Sequence, residues 1–558
     1  MLVFEKGAGV FEDFGLLFFT ILVLSLLLTP FSIFLSYKVG AVDRPCGRSV
    51  HVKPMPRMGG MGMALAMLAG LFLFRELDAL TLAFVLGASV VALTGVVDDV
   101  FRISPLWKLL GQVFASVVFV ELSGLTVQSI GDVFGLGVIH FSGAVAYAVT
   151  LFLMVGTINA FNLSDGLDGL AAGVVVIVCV FLAFLALTVQ AWGALMLSIA
   201  LLAAALGFLK FNSHPAKLFM GDTGSLMLGF SVSAISIAIA TFEPQSVRPV
   251  TVVIVLALPV VDTLWVMSRR MLKGGSPVAP DKTHLHHRML ALGLPHSAVV
   301  TLLYAGVMAF GFLAILIRDL PEVWQLASAL SLTALLYGVL SLCEHQGVCA
   351  KLFVTVHVED GDAVGRVVQV LGKSMRFLPY LILLGLFVPL LMAESIPGVF
   401  SHLALGLAFF VAIAFPWREH QERLSVVYGL FYLCGFALLY VWSVASYQHF
   451  DLTWYAFGFS IVLLVWSLLK IKFKRHSEVL LTSNFELLLI FISWFVPYEV
   501  LPAMQVPESV LAAAKLACFG SIPLLIAMKL VIKRQSHRNA KMALSLILLL
   551  LFVAVRAA

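Results

Sequence analysis

Charge is what this sequence has least of. Lys, Arg, Asp and Glu together make up 12% of 558 residues, against 61% hydrophobic, and mean hydropathy is +1.06. So little charge excludes a soluble domain, whose surface needs about a quarter of its residues charged. The formal net charge of +5 is too small and too dispersed to mark a nucleic-acid binder. Six cysteines form no CxxC pair, so neither a disulfide framework nor a cysteine-based metal cluster is indicated. The first apolar run, about 14–37, has acids before it and no small-residue cleavage site after it, and reads as a retained span. No internal repeat suggests the paired halves of a transporter.

Long apolar runs are what the chain does have. They lie near 14–37, 58–74, 78–97, 108–125, 143–160, 170–188, 192–210, 224–241, 249–267, 298–316 and 323–343. Seven more follow near 376–394, 401–416, 426–446, 454–470, 479–496, 509–531 and 541–556. The fold class is therefore all-α: a polytopic integral membrane protein with about eleven spans up to 345, a short connector at 346–375, and about seven spans in 376–558. In the connector, KLFVTVHV alternates like a strand. Lys and Arg set the expected orientation. The clusters at Lys38–Arg57, Arg269–Arg288, Lys470–Arg475 and Lys533–Lys541 fall on one side when spans alternate. That side is expected to be cytoplasmic, with the N-terminus outside.

Five polar stretches gather on that same side. The chain is organised around NAFNLSDGLDGL, where Asn159, Asn162, Asp165 and Asp168 sit at the end of a span. Unpaired amides and carboxylates cannot face lipid, so this cluster marks a site. GVVDDV sets Asp98 and Asp99 at a helix C-terminus, where the macrodipole disfavours acids; a cation or substrate proton would justify the pair. Lys108 and Gln112 begin the next span one turn apart and can face the same site. The loop after the first span, DRPCGRSVHVKPMPR, offers Arg44, His51 and Lys53 for phosphates, or simply marks topology. FNSHPAKLFMGDTGS carries Asn212 and Asp222; Asp222 reads equally as a helix N-cap or as a hard-metal ligand. THLHHR carries His284, His286, His287 and Arg288. Without Cys or HExxH beside them, these histidines suit a diphosphate better than zinc. Acids for a divalent cation, bases for phosphates and an apolar wall together fit phosphoryl transfer from a nucleotide diphosphate to a lipid-borne acceptor.

The five motifs in this order (DRPCGRSVHVKPMPRMGG, VVDD, NAFNLSDGLDGLAAG, FNSHPAKLFMGDTGSL, PDKTHLHHRML) resemble those of the polyprenyl-phosphate N-acetylhexosamine-1-phosphate transferases, glycosyltransferase family 4. The resemblance covers about residues 1–345. It implies that a lipid phosphate, undecaprenyl phosphate in bacteria, attacks the sugar-linked phosphorus of a UDP-N-acetylhexosamine and that UMP leaves. It implies Mg²⁺, with Mn²⁺ as an alternative, held by Asp222 with Asp99. Asp98, Asp99 and Asp165 become the candidate catalytic acids. Arg44, His51, Lys53, Lys108, Asn159, Asn162, Asp168, Asn212, His284, His286, His287 and Arg288 become candidate substrate-binding residues. HLHH, in place of three consecutive histidines, is similar to the N-acetylglucosamine branch of the family, so the expected donor is UDP-GlcNAc and the product starts a cell-surface polysaccharide. The expected location is the bacterial inner membrane with the site on its cytoplasmic face. The expected partners are the nucleotide sugar, the polyprenyl phosphate, the bilayer and a second copy of the chain, with no nucleic acid. The competing readings are a transporter or flippase for lipid-linked sugars and an inactive scaffold. The C-terminal spans match no motif; Glu486 and Lys515 lie inside their apolar runs.

Overall fold

The structure is a computed structural model. It describes residues 9–43, 54–74, 78–242, 247–272, 274, 283–346, 378–414, scattered positions between 434 and 463, 484–503, 508–532 and 536–557. The chain divides into two compact units. The first spans Met1–Val354 with Ser483–Leu488, and the second spans Thr355–Thr482 with Leu489–Ala558.

The first unit is an up-and-down array of helices: α1 (Gly9–Val39), α2 (Gly59–Phe74), α3 (Ala79–Phe101), α4 (Pro105–Ser123), α5 (Gly143–Ser164), α6 (Leu170–Thr188), α7 (Trp192–Asn212) and α8 (Gly221–Ala240). Then come α9 (Pro249–Val255), α10 (Ala257–Leu272), the short α11 (Leu285–Ala291), α12 (His296–Ile317) and α13 (Glu322–Gln346). Two small antiparallel hairpins interrupt them, β1 (Val42–Asp43) with β2 (Met55–Pro56) and β3 (Ser129–Gly131) with β4 (Ile139–His140). Among the described residues, nine helices are long and apolar enough to cross a membrane. The bent pair α9–α10 and the shorter α2 bring the count of apolar segments to the expected eleven.

The inner helices are α6, α7 and α8. Every residue of α6 from Leu170 to Leu187 is buried, whereas α1, α4 and α13 turn much of their apolar surface outward. In water that arrangement would be unstable; in lipid it costs nothing, and the polar groups instead must find partners inside the bundle. The span expected at 249–267 is not straight. It breaks between α9 and α10 with a bend of 81°. Pro259 supplies the cause: it has no N–H for the Val255 carbonyl one turn earlier, and its ring crowds that carbonyl.

The alternating order puts the C-termini of α3, α5 and α7 and the N-termini of α4, α6 and α8 at one end. Local signals set these ends. Asp78 caps α3, its Oδ1 accepting the Thr81 N–H at 2.8 Å, and Arg102, with φ 53°, stops it. Pro105 occupies the first turn of α4, where its missing N–H is harmless.

In the second unit the described helices include α14 (Leu378–Met392), α15 (Val399–Ala414), α16 (Asn484–Phe495, which begins in the first unit and continues into a π-helical turn), α17 (Glu508–Ile532) and α18 (Ser536–Ala557). They enclose an apolar core around Leu386, Val411, Trp442 and Leu550. Lys515 lies over the Tyr498 ring at 5.2 Å, which satisfies its charge inside an apolar run. The connector with KLFVTVHV and the Glu486 side chain lie outside the described residues.

Candidate active site

The ends of α3, α4, α5 and α8 converge on one cluster of charge. Lys108, at the first turn of α4, places its Nζ 3.1 Å from Asp98 Oδ2 and in close contact with Asp222 Oδ2. Asn162, at the end of α5, donates to Asp222 Oδ1 at 3.1 Å and to Ser225 Oγ at 2.8 Å. Asp222 therefore has both oxygens engaged by side chains. It is not the N-cap of its helix: that position belongs to Met220, whose side chain caps nothing.

The cap comes from another helix. Asp99 Oδ1 accepts the Asp222 N–H at 2.9 Å, and Oδ2 accepts the Thr223 N–H at 3.1 Å and Thr223 Oγ1 at 2.7 Å. This accounts for the paired acids at the end of α3. A charge disfavoured by the C-terminus of its own helix is favoured by the N-terminus of α8. The approach depends on glycine. At Gly221 φ is +70°, and a Cβ there would meet the Arg57 carbonyl oxygen at 2.0 Å and Asp99 Oδ2 at 2.5 Å. The Arg57 guanidinium stands 3.9 Å from Asp99 Oδ1.

Asp165 joins the cluster from the loop after α5. Some of its surface stays accessible, yet its carboxylate accepts no hydrogen bond among the described residues. Crowding out of water, then repulsion from Asp222, Asp99 and Asp168 nearby, pushes its carboxyl up to about 7, with Arg57 opposing. Asp168 behaves oppositely. Burial would raise its carboxyl, but His214, with Nδ1 2.8 Å from Oδ2, and the Ala216 N–H at 3.1 Å outweigh that and hold it below the ordinary range. The Asp168 N–H donates to His296 Nε2 at 3.1 Å, and the two histidine rings stack 4.1 Å apart. These three residues bring potential ligand atoms within 4.8 Å of one another. The contacts already made between them mark the group as a clamp on the loop.

Two expected binding amides are occupied by the protein itself. Asn159 pairs with Gln112, donating to its Oε1 at 2.7 Å, and also donates to the Val155 carbonyl. Asn212 accepts the Gly169 N–H at 2.9 Å and donates to the Leu218 carbonyl at 3.0 Å, tying the loop before α6 to the loop before α8. Tyr304, which the motifs do not include, completes that anchor by donating to the Gly169 carbonyl at 2.6 Å.

The histidine loop approaches from α11. His286 is buried against Gly166, where a Cβ would meet its Nε2 at 2.3 Å, beside a cleft that Ser164, Leu258, Asp262 and Leu303 help to line. Burial, then its histidine neighbours, pushes His286 down to about 4. His284 is held by Asp262, and Arg288 makes a two-pronged bond to Glu344 on α13. Asp262, Tyr304, Glu344 and His296 carry no spacing signal in the sequence, and each stands alone in an apolar or unremarkable stretch; His214 lies within FNSHPAKLFMGDTGS but is not singled out there. Arg44, His51 and Lys53 lie outside the described residues, and the hydrogen-bond partners of His287 are not among the contacts described.

The family match falls within this same unit. The family model described as glycosyl transferase family 4 matches residues 81–240. A Bacillus subtilis protein named "Probable undecaprenyl-phosphate N-acetylglucosaminyl 1-phosphate transferase" is 37% identical over 317 residues, 55% of this chain and 85% of that one. The decaprenyl-phosphate N-acetylglucosaminephosphotransferase of Mycolicibacterium smegmatis is 36% identical over 338 residues, 55% of this chain and 83% of its own. The undecaprenyl-phosphate alpha-N-acetylglucosaminyl 1-phosphate transferase of Escherichia coli is 33% identical over 318 residues, 54% and 83%.

Proposed function

The chain belongs to glycosyl transferase family 4, and from that premise we propose that it transfers N-acetylglucosamine 1-phosphate from UDP-GlcNAc to undecaprenyl phosphate, releasing UMP. One observation carries this reading most directly: Asp98 and Asp222 meet Lys108, with Asp165 near Asp222, at the ends of apolar helices, where a lipid phosphate and a water-soluble donor can both arrive. In the reaction an oxygen of the lipid phosphate bonds to the sugar-linked phosphorus, and the bond from that phosphorus to the bridging oxygen of UMP breaks.

The donor set suits a hard divalent cation. Asp98, Asp99, Asp165 and Asp222 stand against the cations Lys108 and Arg57, and burial, then the neighbouring carboxylates, raises the Asp165 carboxyl. We assign Mg²⁺ to Asp222 and Asp165. Asp99 was expected beside Asp222 as a ligand, but both its oxygens serve the N-terminus of α8, so we assign it the positioning of Asp222. When bound, Mg²⁺ would offset the charge of the diphosphate.

The residues of the chain do the rest. The Lys108 ammonium, already between two carboxylates, is placed to neutralise phosphate oxygens as they enter. A lipid phosphate is largely ionised near pH 7, so Asp98 has little proton to remove and serves chiefly to orient the acceptor. Asn162 holds Asp222, and the clamp of His214, Ala216 and His296 on Asp168 fixes the loop that faces the nucleotide. The Lys and Arg bias of the sequence supports a site on the cytoplasmic face of the inner membrane. The test is UMP release by purified protein given UDP-GlcNAc and undecaprenyl phosphate, with and without Mg²⁺. Metal-dependent release, absent in Asp222→Asn, is the expected result. No release with any UDP-hexosamine overturns the reading.

A further inference from the structure

Asp262 lies on α10 one turn after the bend, is 8% exposed, and belongs to none of the five motifs. Its carboxylate gathers donors from two other elements. Oδ2 lies 2.9 Å from His284 Nδ1. Oδ1 accepts the Leu285 N–H at 2.9 Å, at the start of α11, and the Tyr337 hydroxyl at 3.1 Å, from α13. One turn further along α11, Arg288 is bonded to Glu344 on α13 at 2.9 and 2.8 Å and lies 5.8 Å from the Tyr337 ring centre. The histidine loop is thus strapped to the bundle through Asp262 at one point and Glu344 at the next.

A carboxylate on Nδ1 does two things to an imidazole. It fixes the tautomer that carries the proton on Nδ1, and it stabilises the imidazolium when Nε2 is protonated as well. Among the described residues nothing hydrogen-bonds His284 Nε2. That nitrogen is the ring's free working atom. The neighbouring His286 has no such partner: its Nε2 is buried without one.

We propose that Asp262 is a positioning residue for the transfer reaction, fixing the ring and tautomer of His284 so that Nε2 is presented to the nucleotide sugar, while His286 packs the loop against Gly166. The inference rests on the transferase reading and adds to it a residue outside the motifs and a division of labour between two histidines. Asp262→Asn keeps the shape and can still accept from Leu285 and Tyr337. It faces His284 Nδ1 with an N–H, which forces the ring to the other tautomer and removes the counter-charge.

The experiment measures UMP release with full-length Asp262→Asn, Asp262→Glu, His284→Ala and the Asp262→Asn/His284→Ala double variant at pH 7.5. Binding of UDP alone is measured by calorimetry on the same proteins. Asp262→Asn is expected to lower kcat about 10- to 100-fold at pH 7.5 with KM for the lipid unchanged. The double variant is expected to be no worse than His284→Ala, and Asp262→Glu to restore part of the loss. UDP affinity is expected to fall 5- to 10-fold at pH 7.5 in Asp262→Asn. Additive losses in the double variant, or unchanged kcat and UDP affinity, overturn the proposal. An inactive wild type overturns the transferase reading instead, and the UDP titration then decides the role of Asp262 by itself.

Discussion

Replacing Asp99 by Asn separates two roles that the same carboxylate can have. In the structure its oxygens take three hydrogen bonds from Asp222 and Thr223 at the start of α8, and its side chain is fully buried. An amide keeps one oxygen. If that oxygen stays with Thr223, the new NH₂ faces the Asp222 N–H, donor against donor. One charge-assisted bond is lost, about 1.5–3 kcal/mol, along with the charge at a helix N-terminus, about 0.3–1 kcal/mol. The expected loss is about 2–4 kcal/mol, seen as an apparent melting point several degrees lower in detergent. Because the bonds hold Asp222 itself, UMP release should fall about 100-fold, the scale of a misplacement near 1 Å. Thr223→Val, which removes only the Oγ1 bond, should cost about 1 kcal/mol. Mn²⁺ binding followed by electron paramagnetic resonance decides between the roles. An unchanged melting point with Mn²⁺ affinity down tenfold or more would refute the capping argument and make Asp99 a metal ligand.

Three further outcomes follow from the same geometry. Lys108→Met leaves Asp98 and Asp222 facing each other without their ammonium; kcat for UMP release should drop about 100- to 1000-fold. The Asp165 carboxyl, at about 7 in the folded protein and near 3.8 ordinarily, holds a proton between those values that the unfolded chain does not. Without metal, its contribution to stability is complete below pH 3.8 and is lost as pH rises to 7. Cation binding must expel that proton, so Mn²⁺ affinity measured by calorimetry should fall about tenfold per unit below pH 7 and level off above it. A flat profile in wild type would count against Asp165 as a ligand. Gly221→Ala combines a strained φ with a Cβ driven into the Arg57 carbonyl and Asp99, so the apparent melting point should fall by more than in Thr223→Val.

The sequence alone determined the solvent and the general layout. Sixty-one per cent hydrophobic residues with few charges dictate lipid, because helices satisfy their own backbone and apolar side chains need no core there. Run lengths gave the eleven apolar segments of the first unit, and motif positions put the acids, amides and histidines at one end. These signals are local: each depends on residues within about twenty of one another. The tertiary structure decided which polar groups meet. Asp99 and Asp222 are 123 residues apart, and Lys108 and Asp222 are 114 apart. No spacing rule connects them, so the hydrogen bonds from the start of α8 to Asp99 could not be read from the sequence. Asp262, Tyr304 and Glu344 are single residues whose importance arises only from the helix brought against them. Even Pro259, visible in the sequence, did not disclose the 81° bend, since the pairing left open by a proline depends on what packs beside it. Hydropathy acts residue by residue, whereas a buried hydrogen bond needs two partners within about 3 Å, and only the packed bundle supplies both.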